Sequence, residues 1–223
     1  MFVKTPALSP VKTRLWPAIG KEEATQLFVH AAEATCSVVR RAMSHCSMQA
    51  YWAVAEVAAV HEKCWTGLPT IVQGSGGLGE RMAQVYNQLR RDHHAAVLIG
   101  ADSPQLAATV LEAAVAWLDA GEPRLVIGPA DDGGFWLFGG NVELPGTAWK
   151  EPEYSRADTA RAFMAAMNQQ GRWLSLASLR DLDRADDIQP VASALAELAD
   201  PTEQQRSLLT LLEQLHVNAE AST

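Results

Sequence analysis

The chain has 223 residues and a formal net charge of −8. This length fits one well-packed domain, and we expect residues 1–223 to form a single domain that ends in a helix and tail over 201–223. The acidic balance and the lack of a long basic run exclude nucleic acid as the expected partner. No apolar run reaches about 18 residues and no signal peptide is recognisable, so we expect no membrane span. Three dispersed cysteines indicate a reducing, cytoplasmic location.

Apolar runs alternate along the chain with segments of helical periodicity. We predict strands at residues 1–3, 49–57, 70–72, 124–127, 135–138 and 173–176, and a further strand that starts at residue 97. We predict helices at residues 21–43, 80–91, from 155 or 158 to about 168, at 187–198 and from 200 onwards. This alternation predicts an α/β fold with a mainly parallel sheet and helices on both faces.

Asp102 follows the predicted strand that starts at Val97. Ser103 is a good N-cap and Pro104 suits the first position of a helix, so we expect a helix to begin directly after the acid. In an open α/β sheet, ligands bind in the crevice at the carboxyl ends of the strands. Asp102 is therefore a candidate site residue, with a helix cap alone as the alternative.

The loop after the first strand carries three cations within eleven residues, Lys4, Lys12 and Arg14. Each could be an ordinary solvated side chain. Together, in an acidic protein and at a strand end, they favour binding of a di- or triphosphate. Arginine grips phosphate oxygens with two nitrogens, and lysine acts as a point charge.

A glycine-rich loop follows the predicted strand at residues 70–72. Gly74, Gly76 and Gly79 match the pattern G-x-G-x-x-G, and an acid lies 23 residues beyond the last glycine, at Asp102. A dinucleotide-binding oxidoreductase is one interpretation. The other is that the glycines let the backbone approach a base or ribose. On the second interpretation the candidate binding residues of this segment are Gln73, Gly74, Gly76, Gly79, Glu80 and Arg81.

A second acidic loop, Asp131-Asp132-Gly133-Gly134, follows the predicted strand at residues 124–127. Acids and glycines also form plain turns. However, this loop directs carboxylates to the same crevice as Asp102. Converging carboxylates near phosphates predict Mg²⁺ or Mn²⁺, held by Asp102 and Asp132, with Gly133 and Gly134 near the substrate. Such a cation would neutralise a diphosphate leaving group.

Four segments together resemble one family: residues 2–15, 73–82, 99–104 and 128–137. They are similar to the bacterial glycosyltransferase-A-like proteins of unknown function in the nucleotide-diphospho-sugar transferase superfamily. They are more distantly similar to 2-phospho-lactate and molybdenum-cofactor guanylyltransferases. The resemblance implies a three-layer glycosyltransferase-A-like fold and nucleotide-sugar chemistry. Asp181-Leu182-Asp183 looks like a late acidic motif of such nucleotidyltransferases, which often continues Thr-Pro-Glu-Asp, where this chain has Arg184-Ala185-Asp186-Asp187.

These observations predict a metal-dependent enzyme that transfers a sugar from a nucleotide diphosphate sugar. Asp102 and Asp132 are the expected catalytic residues, and Asp132 would position or deprotonate the acceptor. A nucleotidyltransferase that moves a nucleoside monophosphate from a nucleoside triphosphate is the first alternative. An NAD-binding oxidoreductase and a nucleotide-binding protein without catalysis are more distant ones.

Overall fold

The computed structural model describes residues 1–61 and 64–220. The strands are β1 (Phe2–Val3), β2 (Trp52–Val54), β3 (Thr70–Val72), β4 (Ala96–Ile99), β5 (Arg124–Pro129), β6 (Phe135–Gly140) and β7 (Arg172–Ser175). The helices are α1 (Trp16–Ile19), α2 (Lys21–His45), α3 (Leu78–Asp92), α4 (Ala108–Leu118), α5 (Thr159–Ala166), α6 (Ala185–Ala196) and α7 (Glu203–Glu220), with a 3₁₀ helix at Val57–His61. None of the helices in these ranges has the length and apolar character to cross a bilayer.

The strands form two sheets that differ in direction. The first has the order β1-β2-β3 and is parallel, and the second has the order β4-β6-β5-β7. In the second sheet β6 runs antiparallel to both of its neighbours, and β5 is parallel to β7. Because β4 and β5 are both antiparallel to β6, they point the same way. The residues after these two strands therefore lie at one edge of the sheet.

The period-2 alternation of the strands divides the buried side chains between two cores. Ile99 lies in one core and its neighbour Leu98 in the other, and Val126 and Ile127 divide in the same way. Helices α2 and α4 cover the first core, and α3 and α5 cover the second. The outer side of α2 packs on α6 and α7 in a third cluster. The predicted α/β fold with helices on both faces is confirmed.

The predicted helix start at Ser103 and Pro104 is wrong. Helix α4 begins at Ala108, with Ala107 as the N-cap. The hydroxyl of Ser103 instead donates a hydrogen bond to Oδ1 of Asp181 at 2.6 Å. The carbonyl of Pro104 accepts one from the side-chain amide of Gln205 at 2.8 Å. Both groups are used by distant parts of the chain, so they hold the segment in a turn before the helix.

Two other predictions need correction at the ends of elements. The strand predicted at residues 49–57 is confined to β2, because a 3₁₀ helix begins at Val57. The C-terminal helix starts at Glu203, where the hydroxyl of Thr202 accepts the backbone N–H of Gln205 at 3.1 Å. Residues 221–223 of the predicted tail lie outside the described residues.

Candidate functional site

A pocket of approximately 470 Å³ lies at the carboxyl ends of the strands. Its wall includes residues that follow β1, β3 and β4 and residues of the turn between β5 and β6. The predicted site residues that line it are Lys4, Lys12, Arg14, Gln73, Arg81, Asp102, Asp132 and Gly134. Gly74, Gly76, Gly79, Glu80 and Gly133 are not among the lining residues. The four predicted segments therefore meet at one place, although four of the six candidate residues in the glycine-rich segment, including all three glycines, are not in its lining.

Lys12 is fixed at the centre of this wall. Val11, which precedes it, and Leu15, three residues further on, are 5% and 0% exposed, so this stretch is tied into the core at both ends. The backbone N–H of Leu15 also donates to the carbonyl of Lys12 at 2.9 Å. Lys12 itself has a φ of 46°, a left-handed conformation that is unusual for a lysine. The surrounding contacts stabilise this backbone conformation, which is unfavourable for an isolated lysine residue.

The ammonium of Lys12 lies between two carboxylates. Its Nζ atom is 3.1 Å from Oδ2 of Asp102 and 2.5 Å from Oδ1 of Asp183. The lysine side chain is 6% exposed, while the two carboxylates are 34% and 35% exposed. Arg14 reaches the other oxygen of Asp183 at 3.6 Å. Lys12 was predicted as a phosphate-binding cation, and the structure shows in addition that it bridges two acids of the same pocket.

The segment 180–183 is joined to the segment after β4. The backbone N–H of Leu182 donates to the carbonyl of Asp102 at 2.9 Å. Ser103 donates to Asp181, and the side-chain amide of Gln105 donates to the carbonyl of Arg180 at 2.7 Å. These bonds bring Asp181 and Asp183 to the pocket, where both line the wall.

The pKa values of Asp181, Asp183 and Lys12 are shifted in different ways. Burial raises the pKa of Asp181 to about 7, and the nearby charge of Asp102 adds to this effect. Burial alone would raise the pKa of Asp183, but the ammonium of Lys12 outweighs it and holds that pKa below its usual value. Burial would lower the pKa of Lys12, yet Asp102 and Asp183 keep it above its usual value. Lys12 and Asp183 are thus charged at neutral pH, whereas Asp181 is partly protonated.

The glycine loop is largely structural. Glu80 caps α3, since its Oε2 accepts the backbone N–H of Gly77 at 2.9 Å, and its Oε1 pairs with Lys150 at 2.8 Å. A Cβ on Gly79 would lie 2.1 Å from the carbonyl oxygen of Trp149, so the close approach of α3 to that segment requires glycine here. The predicted ligand-binding role of these residues stays a prediction, while their contacts account for the sequence pattern.

Gln73 and Arg81 are the predicted binding residues of this loop that line the pocket. The amide of Gln73 donates to the carbonyls of Val3 and Ala53 at 3.1 and 2.8 Å, so it ties β1 to β2. Its Oε1 accepts a hydrogen bond from Nη1 of Arg81 at 3.0 Å. The Nε of Arg81 is buried and has no hydrogen-bond partner among the described residues. A buried donor without an acceptor is a place where a ligand oxygen would be accommodated.

The two acids of the hairpin turn between β5 and β6 have different surroundings. Asp131 accepts a hydrogen bond from Ser178 at 2.6 Å and pairs with Arg180 at 3.4 Å, so it supports the turn. Asp132 is exposed; its Oδ1 accepts the backbone N–H of Gly134 at 2.8 Å, and the residue lines the pocket. Of the two acids, Asp132 lines the pocket and Asp131 does not, and the site role of Asp132 stays a prediction.

Sequence reasoning missed the pocket wall formed by residues 154–159. Tyr154, Ser155, Arg156 and Thr159 all line the pocket. The hydroxyl of Tyr154 donates to the carbonyl of Trp149 at 2.7 Å, and Ser155 has a φ of 65°. The segment carries no motif, and it was interpreted only as the beginning of a helix. The charge of Arg156 is visible in the sequence, whereas its closeness to the acidic loop is seen only in the structure.

This arrangement bears on the predicted Mg²⁺ or Mn²⁺. Among residues 1–61 and 64–220, no group of three or more His, Cys, Asp or Glu side chains is placed to hold a metal ion. The ammonium of Lys12 lies in contact with Asp102, where a divalent cation would meet a like charge. The side chains as arranged do not fit a divalent cation at Asp102, and the metal stays a prediction.

The fold and the pocket define an α/β protein with one charged crevice at its strand ends. Residues 29–156 match the family described as "Uncharacterized protein conserved in bacteria (DUF2064)", and the chain belongs to this family. No curated protein matches the chain.

The chain is also similar to a solved structure from Desulfovibrio desulfuricans G20, described as a "putative nucleotide-diphospho-sugar transferase". The two are 23% identical, the alignment covers 96% of this chain and 95% of that chain, and the TM-score is 0.81. This likeness confirms the predicted fold class. The family match over residues 29–156 agrees with the resemblance to bacterial proteins of unknown function.

Proposed function

We propose that this protein is a transferase that acts on a nucleoside diphosphate sugar. The observation that supports this best is the charge of the pocket. Five cations line it, although the chain as a whole carries a net charge of −8: Lys4, Lys12, Arg14, Arg81 and Arg156. A concentration of cations in one crevice of an acidic protein is what a diphosphate requires. The name of the similar D. desulfuricans structure agrees with a nucleotide sugar as the donor.

The cations can be divided by their freedom to contact a ligand. Arg14 is 55% exposed and has only a loose contact to Asp183 at 3.6 Å, and Lys4 is exposed, so both would hold phosphate oxygens. Arg81 offers its unpartnered Nε, next to Gln73, and would contact the nucleoside or the adjoining phosphate. Each role uses a donor that the protein itself leaves available.

Asp132 would serve the acceptor. Its carboxylate is exposed at the pocket, and one of its oxygens is held by the N–H of Gly134. A fixed carboxylate can orient an acceptor hydroxyl or remove its proton as the new bond forms. Nucleotidyl transfer would use the same phosphate contacts with a nucleoside triphosphate, so the choice of donor separates the two reactions.

The experiment is a thermal-shift screen of the purified chain. It uses nucleoside triphosphates, UDP-, GDP- and dTDP-sugars and NAD(H), each with Mn²⁺ and with EDTA. A ligand that binds only the folded state raises the melting temperature by mass action. We expect a shift with at least one nucleotide sugar and none with NAD(H). A shift only with NAD(H) would support the oxidoreductase, and a shift only with triphosphates would support nucleotidyl transfer.

A matched pair of variants links the shift to this pocket. Arg14→Gln removes a lining cation, and Arg206→Gln removes an exposed cation of α7 that is not among the lining residues. The shift should shrink in the first variant and persist in the second. Equal shifts in both variants would place the ligand elsewhere and contradict the proposal.

A further inference from the structure

We infer that the ammonium of Lys12 is the built-in counter-cation of this pocket and takes the place of a divalent metal, so that a diphosphate binds without one. The inference rests on the proposed function, because it concerns how the same pocket holds the diphosphate. It runs against the metal dependence expected from the sequence.

The first support is how firmly the ammonium is held. Lys12 has a 6% exposed side chain and contacts both Asp102 and Asp183. Moving it away would break two charge-assisted hydrogen bonds and leave two partly buried carboxylates without their partner. The left-handed backbone at Lys12 and the buried neighbours Val11 and Leu15 also fix the direction from which the side chain enters.

The second support is the conflict between the ammonium and a metal. A Mg²⁺ ion binds carboxylate oxygens at about 2.0–2.1 Å. Nζ of Lys12 is already 3.1 Å from Oδ2 of Asp102 and 2.5 Å from Oδ1 of Asp183. An ion bound to either oxygen would lie close to the ammonium, in a site partly shielded from water where like charges repel strongly. The ammonium therefore opposes a metal ion at these two oxygens.

The third support is the charge balance of the wall. Its five cations face four carboxylates, those of Asp102, Asp132, Asp181 and Asp183. The wall therefore carries one more cation than carboxylate in a chain of net charge −8, although Arg156 also pairs with Glu153 and Asp158 outside the wall. An incoming diphosphate meets no excess of negative charge among the lining residues. A metal is not needed to reverse the sign of the site.

The fourth support is the capacity of the ammonium. A lysine has three N–H donors, and among the described residues Lys12 donates to two acceptors, Asp102 and Asp183. One donor therefore remains for a phosphate oxygen. The two carboxylates partly neutralise the positive charge of Lys12, but they also fix its position. The third N–H donor therefore lies at a defined place in the pocket.

The test measures diphosphate binding by titration calorimetry, with UDP, GDP and inorganic pyrophosphate as probes. The wild-type chain is titrated once in EDTA and once in Mn²⁺. We expect the two dissociation constants to agree within about threefold, a difference smaller than that of one good hydrogen bond. This comparison needs no variant and therefore does not depend on the folding of one.

Lys12→Gln supplies the second measurement. It removes the charge and frees the Asp102–Asp183 pair for a metal. In EDTA the variant should bind the diphosphate at least about tenfold more weakly, and Mn²⁺ should restore the binding. Mn²⁺ alone should bind to Lys12→Gln and not to the wild type. Lys21→Gln, which removes a lysine that is not among the pocket-lining residues, is the control and should behave as the wild type.

The outcomes separate this inference from the function. Wild-type binding that disappears in EDTA overturns the inference and leaves the proposed function standing, with a metal as its cofactor. Mn²⁺ binding to the wild type as tight as to Lys12→Gln also overturns it. No binding of any diphosphate, with or without Mn²⁺, overturns the proposed function and the inference with it.

Discussion

Nζ of Lys12 lies 2.5 Å from Oδ1 of Asp183, although the two residues are separated by 171 positions in the sequence. This contact joins the loop after β1 to the loop before α6. Asp102, at the end of β4, completes the cluster at 3.1 Å. The three side chains therefore belong both to the fold and to the pocket, and changes in them should be visible in stability as well as in binding.

Asp183→Asn should destabilise the protein. The variant leaves the buried ammonium of Lys12 with one charged partner and removes the contact to Arg14. Because the side chain of Asp183 is 35% exposed, the free energy of unfolding should fall by about 1–2 kcal/mol, less than for a fully buried ion pair. Urea unfolding at neutral pH measures it. Asp200→Asn breaks the ion pair with Arg41 at an 84% exposed carboxylate and should cost less than about 0.5 kcal/mol. Equal losses in the two variants would contradict the structural role of Asp183.

Asp181→Asn should stabilise the protein, and more so at high pH. With a folded-state pKa of about 7 and an unfolded value of about 3.9, Asp181 holds a proton only in the folded state between these values. The free energy of unfolding of the wild type therefore falls as the pH rises through this window and levels off above it. Asparagine has no such titration and can still accept the hydrogen bond of Ser103.

The gain of Asp181→Asn should grow by about 1–3 kcal/mol between about pH 5 and pH 8, at roughly 1.4 kcal/mol for each pKa unit. Denaturant unfolding at the two pH values measures it. Asp92→Asn removes an exposed carboxylate at the end of α3 and controls for the change in net charge. A gain that is the same at both pH values would show that Asp181 does not titrate in this window.

Gly79→Ala should disturb the wall of the pocket. Alanine normally favours a helix over glycine by about 1 kcal/mol. Here the new Cβ would lie 2.1 Å from the carbonyl oxygen of Trp149 and 2.7 Å from the hydroxyl of Tyr154. The overpacking should outweigh the helix preference and cost about 1–3 kcal/mol in thermal or denaturant unfolding. Gly121→Ala, where no atom lies within 4 Å of the new Cβ, should change stability by less than about 0.5 kcal/mol.

The sequence was informative where local signals agreed with long-range contacts. The strand predicted at residues 70–72 is β3, and the strand ends that carry Lys12, Asp102 and Asp132 meet at one edge because alternating βα units place them there. Such positions can be predicted from the hydrophobic periodicity of the segments and from the order of strands and helices along the chain.

Other features could not be predicted, because their partners are remote. Serine is a residue type that favours the N-cap, but the hydroxyl of Ser103 donates to Asp181, 78 residues away. The sequence predicts a binding role for Glu80; in the structure its Oε2 accepts the backbone N–H of Gly77 and its Oε1 pairs with Lys150. The sequence shows that Lys12 is charged, but the two carboxylates that pair with it come from other loops. Local pattern gives the type of a residue, and only the tertiary fold gives its partner.

Asp132→Asn should reduce catalysis and spare binding. Asparagine retains an oxygen for the N–H of Gly134, so the turn between β5 and β6 should keep its shape. It cannot accept a proton from an acceptor hydroxyl, and the turnover number should fall about 10²–10⁴-fold. The measurement combines initial rates, with the donor found in the screen, and titration of the same nucleotide. Asp131→Asn tests the neighbouring acid, which is paired with Ser178 and Arg180, and should retain most of the activity. A variant of Asp132 with normal turnover would remove it from the reaction.

Asp102→Asn distinguishes a metal ligand from a partner of Lys12. If Asp102 holds a divalent cation, the loss of its charge should abolish Mn²⁺-dependent binding of the nucleotide, because hard cations select charged oxygens. We expect a different result. The variant removes one of the four carboxylates of the pocket and leaves the ammonium of Lys12 in contact with Asp183. The pocket becomes more positive, so diphosphate affinity in EDTA should stay the same or rise, by up to about tenfold. Calorimetry in EDTA and in Mn²⁺ measures this, and circular dichroism melting confirms that the variant is folded. A loss of affinity that appears only in Mn²⁺ would identify Asp102 as a metal ligand and Lys12 as a cation that yields its place.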